Sequence, residues 1–359
     1  MDHSLYDCMA YMIRELLDFV DDYFFQSYRA LSKQTTTLNN KLLYKEFPDC
    51  LDVNGNIQKI SMPNQICEEL AYRLRRFTDN CIGENNPKLL TQMLVKLDLA
   101  LKDAVKSLKR DNCNFDALNS NEKELDVQIL PRCTSSWGHN NKDKNNSNTL
   151  NNFLNHMYYI DTREFRHRTG YEVSHCMLSC ERFDRAAEKH YLNIGTTPLG
   201  NGTKLELKMF ESGDGTCQFK VIGISNEEEL MTNVVKILNR AKELEIDIMC
   251  FPEMLGSEKI QDKIGEVLSD FPEENDKRSP VLTVCPTIWK DEENKVVVLD
   301  EYGVEVLTQN KQKPYVHEDQ GQFYKEALKP QKHIKVLHCD GIGRLAILIC
   351  RDALERDFL

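Results

Sequence analysis

The stretch "FKVIGISNEEELMTNVVKILNRAKELEIDIMCFPEM", residues 219–254, carries most of the information about fold. "QFKVIGIS" reads as a strand. "NEEELMTNVVKILNRAKELE" reads as an amphipathic helix, with Asn226 placed to cap it and acids in its first turn, where the helix dipole favours them. "IDIMCF" (246–251) is a short apolar strand. Pro252 cannot donate to a ladder and ends it. Glu253 then stands at the strand's C-terminal end, where side chains of α/β folds face a crevice.

Working outward from there, the C-terminal side continues in the same style. A polar helix or loop covers 257–278, and "VLTVCPTIW" reads as one strand. "KVVVLDEYGVEVLTQ" reads as a hairpin turning near Glu301–Gly303. "IKVLHCDGIGRLAILIC" reads as a second hairpin turning near Asp340–Gly343, whose last strand, Leu345–Ile349, is expected to be buried and to deliver Cys350 to its end. Strand, helix, strand and paired hairpins predict an α/β layer structure with a mixed sheet.

On the N-terminal side the pattern is helical. Residues 4–33 place Tyr6, Met9, Ile13, Leu16, Leu17, Val20 and Phe24 at three- and four-residue steps, predicting one helix. Helices are also predicted over 64–80 and 87–110, the latter with Leu90, Met93, Leu94, Leu97, Leu101 and Val105 on one stripe. The chain thus divides into a helical domain (1–134), an Asn-rich linker (135–156, containing "NNKDKNNSNTLNN"), a connecting segment (157–216) and an α/β domain (217–359).

The chain has 359 residues and a net charge of -11, which argues against a general nucleic-acid binder. The basic run "YRLRRF" (72–77) reads as a solvated helix face. Thirteen scattered cysteines do not form a disulfide framework, and no signal peptide or membrane span is visible. These features predict free thiols in a reducing cytoplasm and no membrane partner.

Three segments of the α/β region carry chemistry: "FPEM" with Glu253, "TQNKQKPYVHED" with Lys311 and Lys313, and "LICRDAL" with Cys350. Singly, each has a structural reading: a solvated loop Glu, a solvated Lys and a core thiol. Together they supply what thiol attack on a carbonyl or nitrile carbon requires. The thiol needs a base, because the thiolate is the nucleophile. The oxyanion needs a cation or N–H donors. The leaving nitrogen needs an acid.

The ordered set "FPEM", "NKQKPY…HED" and "LICRDAL" resembles the nitrilase superfamily of carbon–nitrogen hydrolases, and the likeness covers about 218–359. The resemblance implies a Glu-Lys-Cys triad in this chain order. Cys350 would be the nucleophile, Glu253 the base, and Lys311 the oxyanion partner, helped by the backbone N–H of Arg351. Lys311 is preferred over Lys313, because Lys313 stands where relatives tend to carry a His. A second Glu that orients the Lys would fall at Glu318. The resemblance also implies an αββα sandwich, of which only nine residues follow Cys350 here. The expectation is therefore a partial sandwich with its C-terminal half missing, inactive alone or completed by an oligomer or a complementing chain. The substrate would be a small amide or nitrile, with a thioester intermediate and no cofactor or metal.

Other readings stand beside this one. The whole chain could be a non-catalytic interaction or regulatory module. "LDFVDDYFF" resembles the paired-aspartate motif of reverse transcriptases, and its placement on a helix near the start of the chain makes it at most the remnant of a reverse transcriptase–nitrilase antiviral fusion. "SHCMLSC" (174–180) holds His175, Cys176 and Cys180, whose spacing suits zinc poorly and core or surface thiols better.

Overall fold

The computed structural model describes residues 4–21, 23–31, 33–48, 51, 63, 65–110, 115–116, 126–133, 149–199, 202, 204–270 and 278–356. The fold is mixed α/β. It divides into two compact units: Met1–Arg168 with His175–Ser179 and His338–Gly343, and Thr169–Ser174 with Cys180–Leu337 and Arg344–Leu359. No helix among the described residues is long and apolar enough to cross a membrane.

The first unit is built on helices α1 (Leu5–Phe19), α2 (Phe24–Arg29), α3 (Lys33–Glu46), α4 (Glu68–Gly83), α5 (Pro87–Ala100) and α6 (Lys102–Arg110). Strand β1 (Phe115–Asp116) follows, then the antiparallel pair β2 (Val127–Pro131) and β3 (Met157–Asp161), in which Val127 faces Asp161. The apolar stripes meet in one core: Met9, Ile13 and Leu16 of α1, Leu74 and Phe77 of α4, Leu90 and Leu94 of α5, and Ile129 of β2.

The single helix expected over 4–33 is two. Val20 is extended and ends α1, and the Asp21 carboxylate accepts the N–H of Tyr23 at 3.0 Å. A short polar side chain that bonds its own backbone two residues on competes with helix continuation. Asp21 of "FVDD" therefore forms a side-chain turn between the two helices, while Asp22 lies outside the described residues. The 87–110 helix likewise parts at Leu101, yet Leu101 and Val105 stay in the same core. In "YRLRRF" the Arg73 guanidinium lies 5.2 Å over the Phe47 ring and Arg75 lies 5.5 Å over Tyr11. These cations pack locally on neighbouring rings.

Most of the Asn-rich stretch, 134–148, lies outside the described residues. Its end is not linker-like. Leu150 and Leu154 are buried in the helical core, and the Asn151 side chain bonds both the N–H and the carbonyl of Tyr159 at 2.9 Å. The next turn is anchored by Asp98, fully buried on α5, which accepts the backbone N–H groups of Asn155 at 2.6 Å and Met157 at 2.7 Å, and that of His156 at 3.0 Å. Burial pushes the Asp98 carboxyl up, and these three donors pull against that shift.

Helix α7 (Arg163–Thr169) and strand β4 (Glu172–Leu178) come next in the chain. The second unit then supplies α8 (Glu181–Lys189), β5 (Ile194–Thr196), β6 (Leu205–Glu211), β7 (Cys217–Ile224), α9 (Glu227–Glu243), β8 (Ile248–Cys250), α10 (Glu258–Ser269), β9 (Leu282–Val284) and β10 (Ile288–Lys290). Strands β11 (Glu293–Asp300), β12 (Glu305–Asn310), β13 (Val316–Asp319), β14 (Gln322–Glu326), β15 (His333–Cys339) and β16 (Gly343–Ala346) follow, the last two in this unit except for His338–Gly343, and then a 3₁₀ turn over Cys350–Leu354. Residues 180–216, read from sequence as a connecting segment, thus supply regular elements of this unit.

One sheet runs β10-β11-β9-β8-β5, with β12 on the other edge of β11; β5, β8 and β9 are parallel and the β11 pairings antiparallel. A second runs β13-β14-β7-β6, with β14 and β7 parallel. The period-3.6 stripe of α9 (Leu230, Val234, Leu238) and that of α10 (Ile260, Ile264, Leu268) share a core with Met249, Phe251, Val297 and Leu299 of the first sheet.

Two expectations about strands change. "VLTVCPTIW" is not one strand but two, β9 and β10, both paired to β11 and separated at Cys285–Thr287. Pro286 has no N–H to give the ladder. The run into Cys350 is not a buried strand either: β16 ends at Ala346, and of Leu345–Ile349 only Ile349 is buried.

We expect Asp98→Ala to lower the urea-unfolding free energy of the whole chain by about 3 kcal/mol or more, because three buried N–H groups lose their acceptor. A loss below about 1 kcal/mol would show that water replaces the carboxylate there.

Candidate active site

Three loops bring the predicted triad residues together, and each has a local cause. Glu253 sits in the turn after β8, where the next residue, Met254, adopts a left-handed φ of 63°. The break in β9/β10 holds this turn: Met254 N–H donates to Thr287 Oγ1 at 2.7 Å, and Gly256 N–H to the Thr287 carbonyl at 3.0 Å. Only glycine fits at 256, since a Cβ there would overlap the Pro286 carbonyl oxygen and lie 2.8 Å from that of Thr287. The proline that interrupts the strand therefore makes the seat for the glutamate turn.

Lys311 follows the end of β12 and is fully buried. Its ammonium donates to Glu253 Oε1 at 2.7 Å and to Glu326 Oε2 at 2.8 Å. Burial pushes this ammonium down, but the Glu326 and Glu253 carboxylates outweigh that, and the net shift is upward. Lys311 is thus held as a cation. Lys313 faces elsewhere, with its ammonium 3.5 Å from Glu355 and 6.0 Å from the Tyr171 ring centre.

Cys350 opens the final 3₁₀ turn, exposed and in the left-handed region at φ 52°, an uncommon conformation for a non-glycine residue. Its thiol is within electrostatic reach of the Glu253 carboxylate and of the Lys311 ammonium. Burial raises the thiol pKa, and the Glu253 charge raises it further; Lys311 opposes them, and the net shift is upward. The resting sulfur is therefore protonated.

Asp352 locks the lysine loop to this turn. Nearly fully buried, its carboxylate accepts the N–H groups of Gln312 at 3.0 Å, Lys313 at 2.7 Å and Ile349 at 3.3 Å. Burial pushes the Asp352 carboxyl up against the pull of those same donors. The Arg351 guanidinium reaches back to the Pro314 carbonyl at 3.1 Å, which fastens the same two segments from outside.

The glutamate beside Lys311 is not Glu318. That residue lies on the exposed hairpin strand β13, opposite Phe323. The partner is Glu326, at the end of β14, where the strand pairs with β7 through Glu326↔Phe219. Glu318 is close in sequence but belongs to the outgoing arm of the β13/β14 hairpin, and the return arm is the one that comes back to the lysine. The signal was present in "EDQGQFYKE": a Gln-Gly turn between two short strands, the second of them ending in Glu326.

The two carboxylates are satisfied unequally. Glu326 Oε1 accepts from Trp289 Nε1 at 3.2 Å and Asn294 Nδ2 at 3.3 Å, while Oε2 accepts from Lys311 and, at 2.9 Å, from the Tyr315 N–H. Glu253 Oε1 accepts from Lys311 and, at 2.8 Å, from Asn294 Nδ2. Both oxygens of Glu326 are thus engaged, and only one oxygen of Glu253 is, among the described residues.

Among the described residues no group of three or more His, Cys, Asp or Glu is arranged to hold a metal ion. In "SHCMLSC", His175 Nδ1 lies 3.0 Å from His338 Nε2, and Cys176 and Cys180 are buried. No described cysteine is in a disulfide. No family model and no curated protein matches the chain.

We expect Asp352→Ala to lose about 2–3 kcal/mol in urea unfolding and Asp352→Asn to lose less, since an amide oxygen still accepts from the loop N–H groups. Equal losses in the two variants would mean that charge, not hydrogen-bond acceptance, is what Asp352 contributes.

Proposed function

We propose that this protein is an acyl-transfer enzyme of the carbon–nitrogen hydrolase kind, acting on small amides or nitriles through Cys350, Glu253 and Lys311. The observation that carries the proposal is the single cluster of a cationic buried lysine, an unsaturated glutamate and an exposed protonated thiol on a strained turn. The resemblance of "FPEM", "NKQKPY" and "LICRDAL" to the nitrilase superfamily supports it. So does the architecture: α9 and α10 against one mixed sheet, with a second mixed sheet in the same unit, fit part of an αββα sandwich.

In the proposed reaction the Glu253 oxygen not used by Lys311 takes the Sγ proton, and the sulfur forms a bond to the amide carbon. The carbonyl π electrons move to oxygen, and the Lys311 ammonium and the Arg351 N–H hold that oxyanion. Collapse breaks the C–N bond, and Glu253 returns its proton to the leaving nitrogen. A thioester remains on Cys350. Water, deprotonated by Glu253, then attacks it, releases the carboxylic acid and restores the thiol. A nitrile would enter as a thioimidate by the same addition. Glu326 takes no proton in this scheme; it balances and aims Lys311.

Mass spectrometry after exposure to 4-nitrophenyl acetate tests the assignment. We expect one acetyl group on Cys350, none at that position in Cys350→Ala, and on the order of a hundredfold slower acetylation in Lys311→Met, the scale of losing one oxyanion donor. Acetyl groups spread evenly over the exposed thiols, unaffected by Lys311→Met, would favour a non-catalytic interaction module instead.

A further inference from the structure

Asn294 stands at the start of β11 and is fully buried. Its amide nitrogen is shared between the two active-site carboxylates, 2.8 Å from Glu253 Oε1 and 3.3 Å from Glu326 Oε1. Its backbone carbonyl accepts the backbone N–H of Lys311 at 2.8 Å, so the same residue contacts both carboxylates and the lysine's main chain. Its side-chain oxygen is buried and has no hydrogen-bond partner among the described residues. A buried, unpaired amide oxygen is a standing cost. An apolar residue of similar size would avoid it but would surrender the bridge between the carboxylates.

From this geometry we propose that Asn294 is a positioning residue that selects which oxygen of Glu253 acts as the base. By holding Oε1 together with Lys311, it leaves only the second oxygen to face the Cys350 thiol. It also keeps the two carboxylates apart by a neutral donor where a second cation would neutralise the base. This inference rests on the reading of Glu253 as the base. The charged and titratable groups that bear on it are Lys311, Glu326 and Cys350 from their three loops, with Asp352 within electrostatic reach of Lys311.

Removing a donor from a carboxylate favours its protonated form. The acid limb of Cys350 acetylation by 4-nitrophenyl acetate, followed from pH 4 to 9 on the full chain, should therefore move to higher pH in Asn294→Ala. We expect a shift of about one unit, which lowers the rate at the foot of the limb roughly tenfold. Asn294→Asp keeps the volume, adds a third carboxyl to the cluster and should move the limb at least as far; it carries the test if the alanine variant does not fold. Trp289→Phe removes a donor from Glu326 only and should leave the limb in place.

An unmoved limb in folded Asn294→Ala, or in Asn294→Asp if the alanine variant fails to fold, with rates scaled down equally at every pH, would overturn the proposal and leave Asn294 a packing residue. Equal shifts in Trp289→Phe would overturn it too, as general loosening. Failure of the underlying reading looks different: wild-type Cys350 would then show no selective acetylation at any pH.

Discussion

The structure of the site depends on one constraint: the ammonium of Lys311 is fully buried and must be held by carboxylates. Burying such a charge costs several kcal/mol unless it is paired and hydrogen-bonded. Two glutamates from different strand ends meet it, Glu253 after β8 and Glu326 at the end of β14. Lysine with two carboxylates leaves one formal negative charge in excess. Where that charge lies decides the chemistry. Glu326 receives four donors on its two oxygens, while Glu253 receives two on one oxygen, so the proposed chemistry draws on the less engaged carboxylate.

The framework around this cluster consists of departures from regular structure. Pro286 breaks a strand, and the gap seats the Glu253 turn against Gly256. Asp352 pins the Lys311–Lys313 loop to the turn that carries Cys350. Cys350 itself is in a left-handed conformation, a strain that the surrounding hydrogen bonds sustain. Helices α9 and α10 supply the rigid base, since their stripes bury Met249 and Phe251 at the strand leading to Glu253. Local irregularity on a packed support aims three side chains from loops far apart in sequence.

What could be read from sequence was the part governed by periodicity. The stripe of α9 and the strand before Pro252 placed Glu253, and of the three residues read in chain order Glu253 and Lys311 are ion-paired at 2.7 Å, with Cys350 within electrostatic reach of both. What could not be read was pairing. Glu318 and Glu326 are both acids on short strands after the lysine, and only the fold of the β13/β14 hairpin shows which one returns to it. Asn294 was invisible because an asparagine at the head of an apolar strand looks like a turn residue. The break after Val20 was missed because apolar spacing continues across it, while the Asp21 side chain acts on the backbone. "VLTVCPTIW" contained its own breaker in Pro286, which a reading by hydropathy alone passes over.

The most direct test compares two reagents on one variant. Iodoacetamide alkylates a thiolate and forms no oxyanion; 4-nitrophenyl acetate needs proton removal and an oxyanion partner. Burial and then the Glu253 charge raise the Cys350 thiol above its ordinary range, and the proposal also makes Glu253 its base, so the two effects of Glu253 have opposite signs. Glu253→Gln should therefore speed alkylation of Cys350 near neutral pH and slow its acetylation, both quantified at Cys350 by mass spectrometry. If both rates fall together, or neither changes, Glu253 is not the base of Cys350, and the central claim is wrong.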